Sequence, residues 1–182
     1  ETDGKKLLSM AGRCLEDFEK TGVTGFPALW ELESSGILED LGVFFDLELE
    51  EEEFLPAYFE LRFGMEESEE KDSAFSTREP AIIRAGKHAL RLRGRIDRID
   101  LSPGRNVARV VDYKSGRKYG KENDLEGGTR LQLPLYLLAA QQLLEKKNRN
   151  LVVARAEYYF MTDRGRFARV GFDAEALAAM QK

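Results

Sequence analysis

Cysteine and long apolar runs are both scarce in this sequence, and each scarcity excludes a class of protein. The 182 residues contain one cysteine, Cys14, so this chain alone can form neither a disulfide framework nor a thiolate-rich zinc or iron–sulfur site. No apolar run approaches the roughly 18 residues that a membrane helix needs, and the first residues do not resemble a signal peptide. The sequence therefore predicts a cytoplasmic protein with no membrane partner.

Charge is distributed unevenly behind the modest net value of −5. Residues 1–77 carry 6 Lys and Arg against 21 Asp and Glu, residues 78–121 carry 13 against 4, and residues 122–182 carry 9 against 8. A basic block inside an acidic chain is typical of a polyanion-binding surface, or of a solvated face that the acidic segment balances. Charge alone leaves both interpretations open.

The length and the 42% hydrophobic content predict one globular domain over residues 1–182, with a helical flank over 1–53 and a core over 54–182. Helical apolar spacing and strand-like alternation predict an α/β or α+β sandwich around a mixed sheet. Helices are predicted over 1–25, 27–53, 130–147 and 173–182, and strands over 57–63, 88–101, 107–114 and 152–161. The acidic run 50–53 is interpreted as a solvated helix end.

Two carboxylates and a lysine lie on neighbouring predicted strands, in the segments GRIDRID and VVDYKSG. Asp112 and Lys114 are two residues apart, so a strand projects both from one face. If Asp97 meets Asp112 across the hairpin, the two carboxylates can share one divalent cation. Oxygen ligands suit Mg²⁺ or Mn²⁺, and the backbone carbonyl of Tyr113 is a natural further ligand.

A cation in this position polarises a phosphoryl oxygen and lowers the pKa of a bound water. Lys114 beside it can orient that water and offset negative charge in the transition state. The alternative is an exposed ion pair on a hairpin. Apolar Val110 and Val111 favour the functional interpretation, because charge on a buried strand needs a reason.

The segments GRID, VVDYKSG and LQLPLYLLA together resemble the PD-(D/E)XK nuclease superfamily, in its RecB-like exonuclease branch. The segment PAYFELRFG, residues 56–64, is most similar to the nuclease domains of AddB-type helicase–nucleases. The resemblance implies an α/β fold with a restriction-endonuclease-like core, in which helices flank a mixed central β-sheet. It also implies a Mg²⁺- or Mn²⁺-dependent DNA exonuclease domain of a recombination and repair complex, with a helicase module or partner subunit.

The resemblance extends to single residues. It implies catalytic roles for residues of the GRID, DYK and QxxxY motifs, which are Asp97, Asp112, Lys114, Gln132 and Tyr136. Gln132 and Tyr136 are four residues apart, so they share one helix face. Glu60 matches the family's FExxFG glutamate, for which metal ligation and a supporting role on the strand are both open.

The sequence also departs from the family pattern. The RecB-like branch has a histidine on an early helix, which the single histidine, His88, does not match. AddB-type proteins often carry four cysteines that bind an iron–sulfur cluster. Because this chain has one cysteine, we expect no such cluster within it. Either the chain is a fragment of a longer protein, or it is a divergent member. The alternative function is a catalytically inactive nuclease-like module that binds DNA or braces a helicase partner.

Basic residues surround the predicted site. The arginines at 91, 93 and 95 alternate along one strand face, and Arg117, Lys118 and Lys121 form a basic loop after the DYK motif. We expect Arg95 and the three loop cations to bind the DNA backbone in a salt-dependent way, without base specificity. Spacing alone indicates no aromatic stacking platform.

Overall fold

The computed structural model describes residues 3–65, 76–146 and 150–180. These residues form helices α1 (Asp3–Glu19), α2 (Pro27–Glu50), α3 (Gln132–Glu145) and α4 (Ala174–Met180), and strands β1 (Leu55–Phe63), β2 (Ala81–Ala85), β3 (His88–Leu92), β4 (Gly94–Ser102), β5 (Val107–Lys114), β6 (Val152–Phe160) and β7 (Arg169–Asp173). None of the helices in these ranges combines the length and apolar character that a membrane crossing requires.

A five-stranded mixed sheet forms the centre of the fold, in the order β1-β4-β5-β6-β7. β5 and β6 are parallel, and the other neighbouring pairs are antiparallel. The parallel pair is connected through α3, as a crossover between parallel strands requires. Helices flank this sheet, so the predicted fold class is confirmed.

The apolar core lies between the sheet and α3. Leu133, Leu137, Ala140 and Leu144 recur every three or four residues along α3 and are all buried, which makes one apolar helix face. They pack in one cluster with alternate residues of the central strands. The start of α3 is therefore held firmly above the carboxyl end of β5.

The opposite face of the sheet carries a buried ion network, which joins the strands to α2. Its members are Arg98 and Asp100 of β4, Arg109 of β5, Glu157 of β6, Arg169 of β7, and Glu48 and Glu51 at the end of α2. Arg98 is 2% exposed and Asp100 is fully buried. The interpretation of the acidic run 50–53 as a solvated helix end is thus wrong for Glu51, which pairs with Arg109 at 3.1 Å.

One predicted strand differs from the structure, and two short strands of the structure were not predicted. The predicted strand 88–101 is two strands in two sheets: β3 pairs with β2 in a separate hairpin, and β4 enters the central sheet. A Cβ on Gly94 would lie 3.0 Å from the Phe63 ring, so β4 begins at a close approach that favours glycine. The short strands β2 and β7 were not predicted. The predicted helix ends at 1–2, 147 and 181–182 lie outside the described residues.

Candidate active site

The two candidate ligands, Asp97 and Asp112, flank the point where the β4–β5 ladder ends. The antiparallel register pairs Arg98 with Val111 as its last step, and its continuation would place Asp97 opposite Asp112. There the Tyr113 N–H donates instead to Asp97 Oδ2, at 3.0 Å. An aspartate side chain thus takes the place of the next backbone rung, and the β4–β5 ladder ends beside both carboxylates.

Asp112 is 4% exposed, and its two oxygens have different surroundings. Oδ1 accepts a hydrogen bond from Gln132 Nε2 at 2.8 Å. Oδ2 forms an ion pair with Lys114, yet among the described residues it has no well-directed hydrogen bond. A buried carboxylate oxygen without such a bond is costly unless a further positive partner reaches it.

Electrostatics at Asp112 follow from this burial. Burial raises the pKa of the Asp112 carboxyl, Lys114 lowers it, and the negative charge of Asp97 raises it again, with a net upward shift. The negative charge of Asp97 disfavours the ionised form of Asp112, and a cation between the two carboxylates would offset this repulsion. The site is therefore short of positive charge even with Lys114 in place.

Gln132, the first residue of α3, is held from two sides. Its amide donates to Asp112, and its Oε1 accepts the Tyr158 hydroxyl proton at 3.2 Å. Burial, followed by the nearby Tyr119 and Asp112, raises the pKa of Tyr158 to about 12, so this hydroxyl keeps its proton. Sequence reasoning missed Tyr158, although the parallel register places it directly opposite Asp112.

Tyr136 lies one turn along α3 from Gln132 and is half-buried against the apolar core. It is near enough to Tyr158 to contribute to the raised pKa of that phenol. The structure thus brings Gln132 and Tyr136 to the same side of the sheet as Asp112. A role of Tyr136 on the substrate stays a prediction.

The donor set fits a hard divalent cation with open positions. No group of three or more His, Cys, Asp and Glu side chains able to hold a metal occurs in the described parts of the chain. Asp97, Asp112 and the predicted Tyr113 carbonyl would supply part of a shell. Mg²⁺ commonly keeps several waters and is bound through one or two carboxylates plus substrate phosphates, so this partial set suits it.

Glu60 is occupied elsewhere. Its carboxylate pairs with Arg95 Nε at 2.8 Å, and both side chains are about half exposed. Glu60 also has a positive φ of 52°, which is uncommon for a residue with a side chain. Glu60 is therefore outside the ligand set that we propose below, and Arg95 already has a carboxylate partner.

Behind the site, the residues that follow the two aspartates bond to one another. Arg98 Nη1 donates to the Tyr113 hydroxyl at 2.9 Å, and Arg98 also pairs with Glu48 of α2. Phe44 of α2 meets the Tyr113 ring edge-on, with centroids 5.9 Å apart. Tyr113 is thus tied to β4 by its backbone on one face and by its hydroxyl on the other.

The predicted basic loop follows β5 directly. Arg117, Lys118 and Lys121 are exposed, and none of them forms an ion pair with another described residue. The basic block of the sequence therefore contains exposed cations and buried ones. Arg98 and Arg109 are buried and paired with carboxylates in the ion network. Only part of the block is available to a polyanion.

Comparisons with known proteins place this chain beside a nuclease family. The profile of the PD-(D/E)XK nuclease superfamily matches residues 9–182. A protein of Alkaliphilus metalliredigens, named as a subunit of an ATP-dependent helicase/deoxyribonuclease, is 34% identical over 115 residues, which cover 61% of this chain and 9% of that protein. Proteins of the same name from Lachnoclostridium phytofermentans and Symbiobacterium thermophilum are each 41% identical, over 78 and 90 residues.

These matches cover a small part of each relative. The shared segments are 41% and 48% of this chain and 7% of the protein in the last two cases. This chain therefore corresponds to less than a tenth of the length of each of these relatives.

Proposed function

We propose, because this chain belongs to the PD-(D/E)XK nuclease superfamily, that it is a metal-dependent exonuclease domain that hydrolyses phosphodiester bonds in DNA. The observation that carries the proposal is the grouping of the buried Asp112 with Lys114 and Asp97 at the point where the β4–β5 ladder ends. Phosphodiester hydrolysis needs a cation, an oriented water and charge compensation in one place, and these residue types can supply all three.

Each residue of the site has a distinct task in this proposal. Asp97, Asp112 and the Tyr113 carbonyl would hold Mg²⁺ or Mn²⁺, which when bound polarises the phosphoryl oxygen and acidifies a water. Lys114 orients the attacking water and offsets negative charge that develops on the phosphate. Gln132 keeps Asp112 in one rotamer, because its hydrogen bonds to Asp112 and Tyr158 fix the amide from both ends.

The biological setting is also a proposal. The relatives are named as helicase/deoxyribonuclease subunits, and this chain matches only 9% of the first of them. We infer that the domain works with a helicase module or partner subunit in DNA recombination and repair. The exposed basic loop beside the site supports DNA as the substrate, bound through its backbone.

One observation favours a second candidate, a nuclease-like module that binds DNA without cutting it. The carboxylates of the described residues do not form a group of three around one ion, and Glu60, which the family resemblance offered as a further ligand, pairs with Arg95. A complete DYK motif with a buried aspartate argues for cleavage. Burial of this charge costs folding free energy, and a catalytic role accounts for that cost.

Cleavage of linear DNA in Mg²⁺ separates the two candidates. We expect the protein to degrade the DNA, and Asp112→Ala to abolish degradation while DNA binding persists. Asp46→Ala is the matched control, because Asp46 is an exposed aspartate on α2. Equal cleavage by the protein and Asp112→Ala would reject the catalytic assignment, and DNA binding without cleavage by the unaltered protein would establish the second candidate.

A further inference from the structure

An exposed aromatic residue, Tyr119, lies in the basic loop that follows the DYK motif. It is 39% exposed, and it is flanked in sequence by Lys118 and, after Gly120, by Lys121. The mechanism proposed above gives it no task. An accessible ring among exposed cations is the combination that single-stranded nucleic acid binding uses, since the cations follow the backbone and the ring receives a base.

The ring is held in place by its neighbours. Its centroid is 5.5 Å from that of Tyr158 and 5.1 Å from that of Phe160, which it meets edge-on at 88°. The Arg130 guanidinium lies over the ring at 4.5 Å, and Arg130 is itself paired with Glu126 at 2.6 Å. The ring therefore loses little conformational freedom when a ligand binds to its accessible surface.

Gly120 makes this arrangement possible. It has a φ of +84°, and a Cβ at this position would lie 2.5 Å from Arg130 Nη1. A side chain at this position would strain the backbone and require Arg130 Nη1 to move. The loop is thus built so that Arg130 can support the ring from one side.

The ring of Tyr158 lies between Tyr119 and the candidate catalytic residue Lys114. Lys114 Nζ lies 4.9 Å from the centroid of Tyr158, and Tyr158 in turn contacts Tyr119. A DNA strand with one phosphate at Lys114 would therefore place a base of a nearby nucleotide within reach of Tyr119. The exposed cations Arg117, Lys118 and Lys121 are available for the phosphates on either side.

We propose that Tyr119 stacks on a base of single-stranded DNA close to the phosphate that is cut. The proposal rests on the proposed function, because it takes the DNA strand to lie at Lys114. Bases within a duplex are already stacked on their neighbours, so an isolated protein ring at the site favours an unpaired strand. Stacking is tolerant of sequence, because every base offers a π-face.

Binding of a fluorescently labelled oligo(dT), measured by anisotropy in EDTA to prevent cleavage, tests the proposal. We expect Tyr119→Ala and Tyr119→Leu to weaken binding about 5- to 100-fold, and Tyr119→Phe to retain it. Leucine preserves apolar cover over Phe160 without an aromatic face, so it separates stacking from packing. Phe26→Ala, which removes an aromatic residue 69% exposed on the acidic flank, is the matched control and should bind normally.

A scan of abasic sites along the oligonucleotide completes the test. One position should weaken binding by the unaltered protein and have no further effect on Tyr119→Ala, since the same contact is already lost. Normal binding by Tyr119→Leu, or equal abasic effects in both proteins, would overturn the stacking assignment alone. Failure of the unaltered protein to bind any oligonucleotide would overturn the proposed function with it.

Discussion

Burial raises the pKa of Asp112, Lys114 lowers it, and the charge of Asp97 raises it, so that the net shift is upward. A carboxyl group whose pKa is raised by folding opposes folding wherever it is ionised. This opposition is complete above the folded-state pKa and disappears as the pH falls towards the ordinary carboxyl value. At neutral pH, Asp112 therefore weakens the metal-free fold.

Asp112→Asn should therefore stabilise the metal-free protein at neutral pH. The asparagine keeps an oxygen for the hydrogen bond from Gln132 and removes the charge that faces Asp97. For a chain of this size, each kcal/mol gained in the free energy of unfolding should raise the Tm by about 2–4 °C. Thermal unfolding in EDTA measures the shift, which should shrink as the pH falls through the folded-state pKa of Asp112.

Addition of Mn²⁺ should make the Tm of the unaltered protein higher than that of Asp112→Asn, the reverse of their order in EDTA. The cation binds to the folded state with ionised Asp112, so it raises the Tm of the unaltered protein and leaves Asp112→Asn unchanged. Asp46→Asn, an exposed aspartate on α2, should change neither value. If Asp112→Asn is less stable than the unaltered protein at neutral pH in EDTA, then Lys114 compensates the buried charge fully, and ionised Asp112 does not weaken the metal-free fold.

At the scale of elements, two further hydrogen bonds join β4 to β5 where their ladder stops. Tyr113 is bonded to Asp97 through its backbone N–H and to Arg98 through its hydroxyl. The two bonds lie on opposite faces of the sheet, and α2 supports the second through Glu48. The separation of the two aspartates is thus set partly by contacts on the face away from them.

Tyr113→Phe should consequently weaken cation binding without removing a proposed ligand, since the carbonyl of residue 113 is retained. We expect a loss of about 1.5–3 kcal/mol in the free energy of unfolding, the usual range for a hydrogen bond to a charged group. We also expect a several-fold rise in the Kd for Mn²⁺. Chemical denaturation and calorimetric titration of the metal-free protein measure the two effects.

Tyr159→Phe provides a matched control on the same face of the sheet. Tyr159 pairs with Tyr113 in the parallel register and faces Arg169, but it has no bond to β4 among its described contacts. It should lose similar stability while its Mn²⁺ affinity is unchanged. Equal Mn²⁺ affinity in Tyr113→Phe and the unaltered protein would show that the strand ends keep their spacing without this hydroxyl.

The elements that local patterns specify were predictable, and those that depend on distant partners were not. Short apolar segments predicted β5 and β6, and helical spacing predicted α3, so the DYK and QxxxY motifs were assigned to the correct elements. The break at Arg93 separates two sheets, because β3 pairs with β2 and β4 pairs with β1 and β5, and no local pattern records these partners. Tyr158 and Tyr119 were missed because their contacts arise only when β6 and the basic loop meet.

The acidic flank and the basic block interact across the whole molecule. Glu48 of α2 pairs with Arg98 and with Arg169, which is 121 residues away in sequence. Part of the acidic and basic charge of distant segments is thus paired, and these ion pairs hold α2 against the sheet. Arg117, Lys118 and Lys121 remain exposed beside the site, so DNA binding should depend on this loop more than on the total charge.

Replacement of both Arg117 and Lys118 by alanine should weaken DNA binding and flatten its salt dependence. Each phosphate contact to a single strand contributes about 0.7 to the slope of log K against log salt concentration, so the slope should fall by up to about 1.4. Anisotropy titrations of oligo(dT) at several NaCl concentrations measure it. Lys5 and Lys6 are equally exposed but lie on α1 in the acidic flank, so their double replacement should leave the slope unchanged. An unchanged slope in the loop variant would mean that the loop is a solvated face and that DNA is held elsewhere on the molecule.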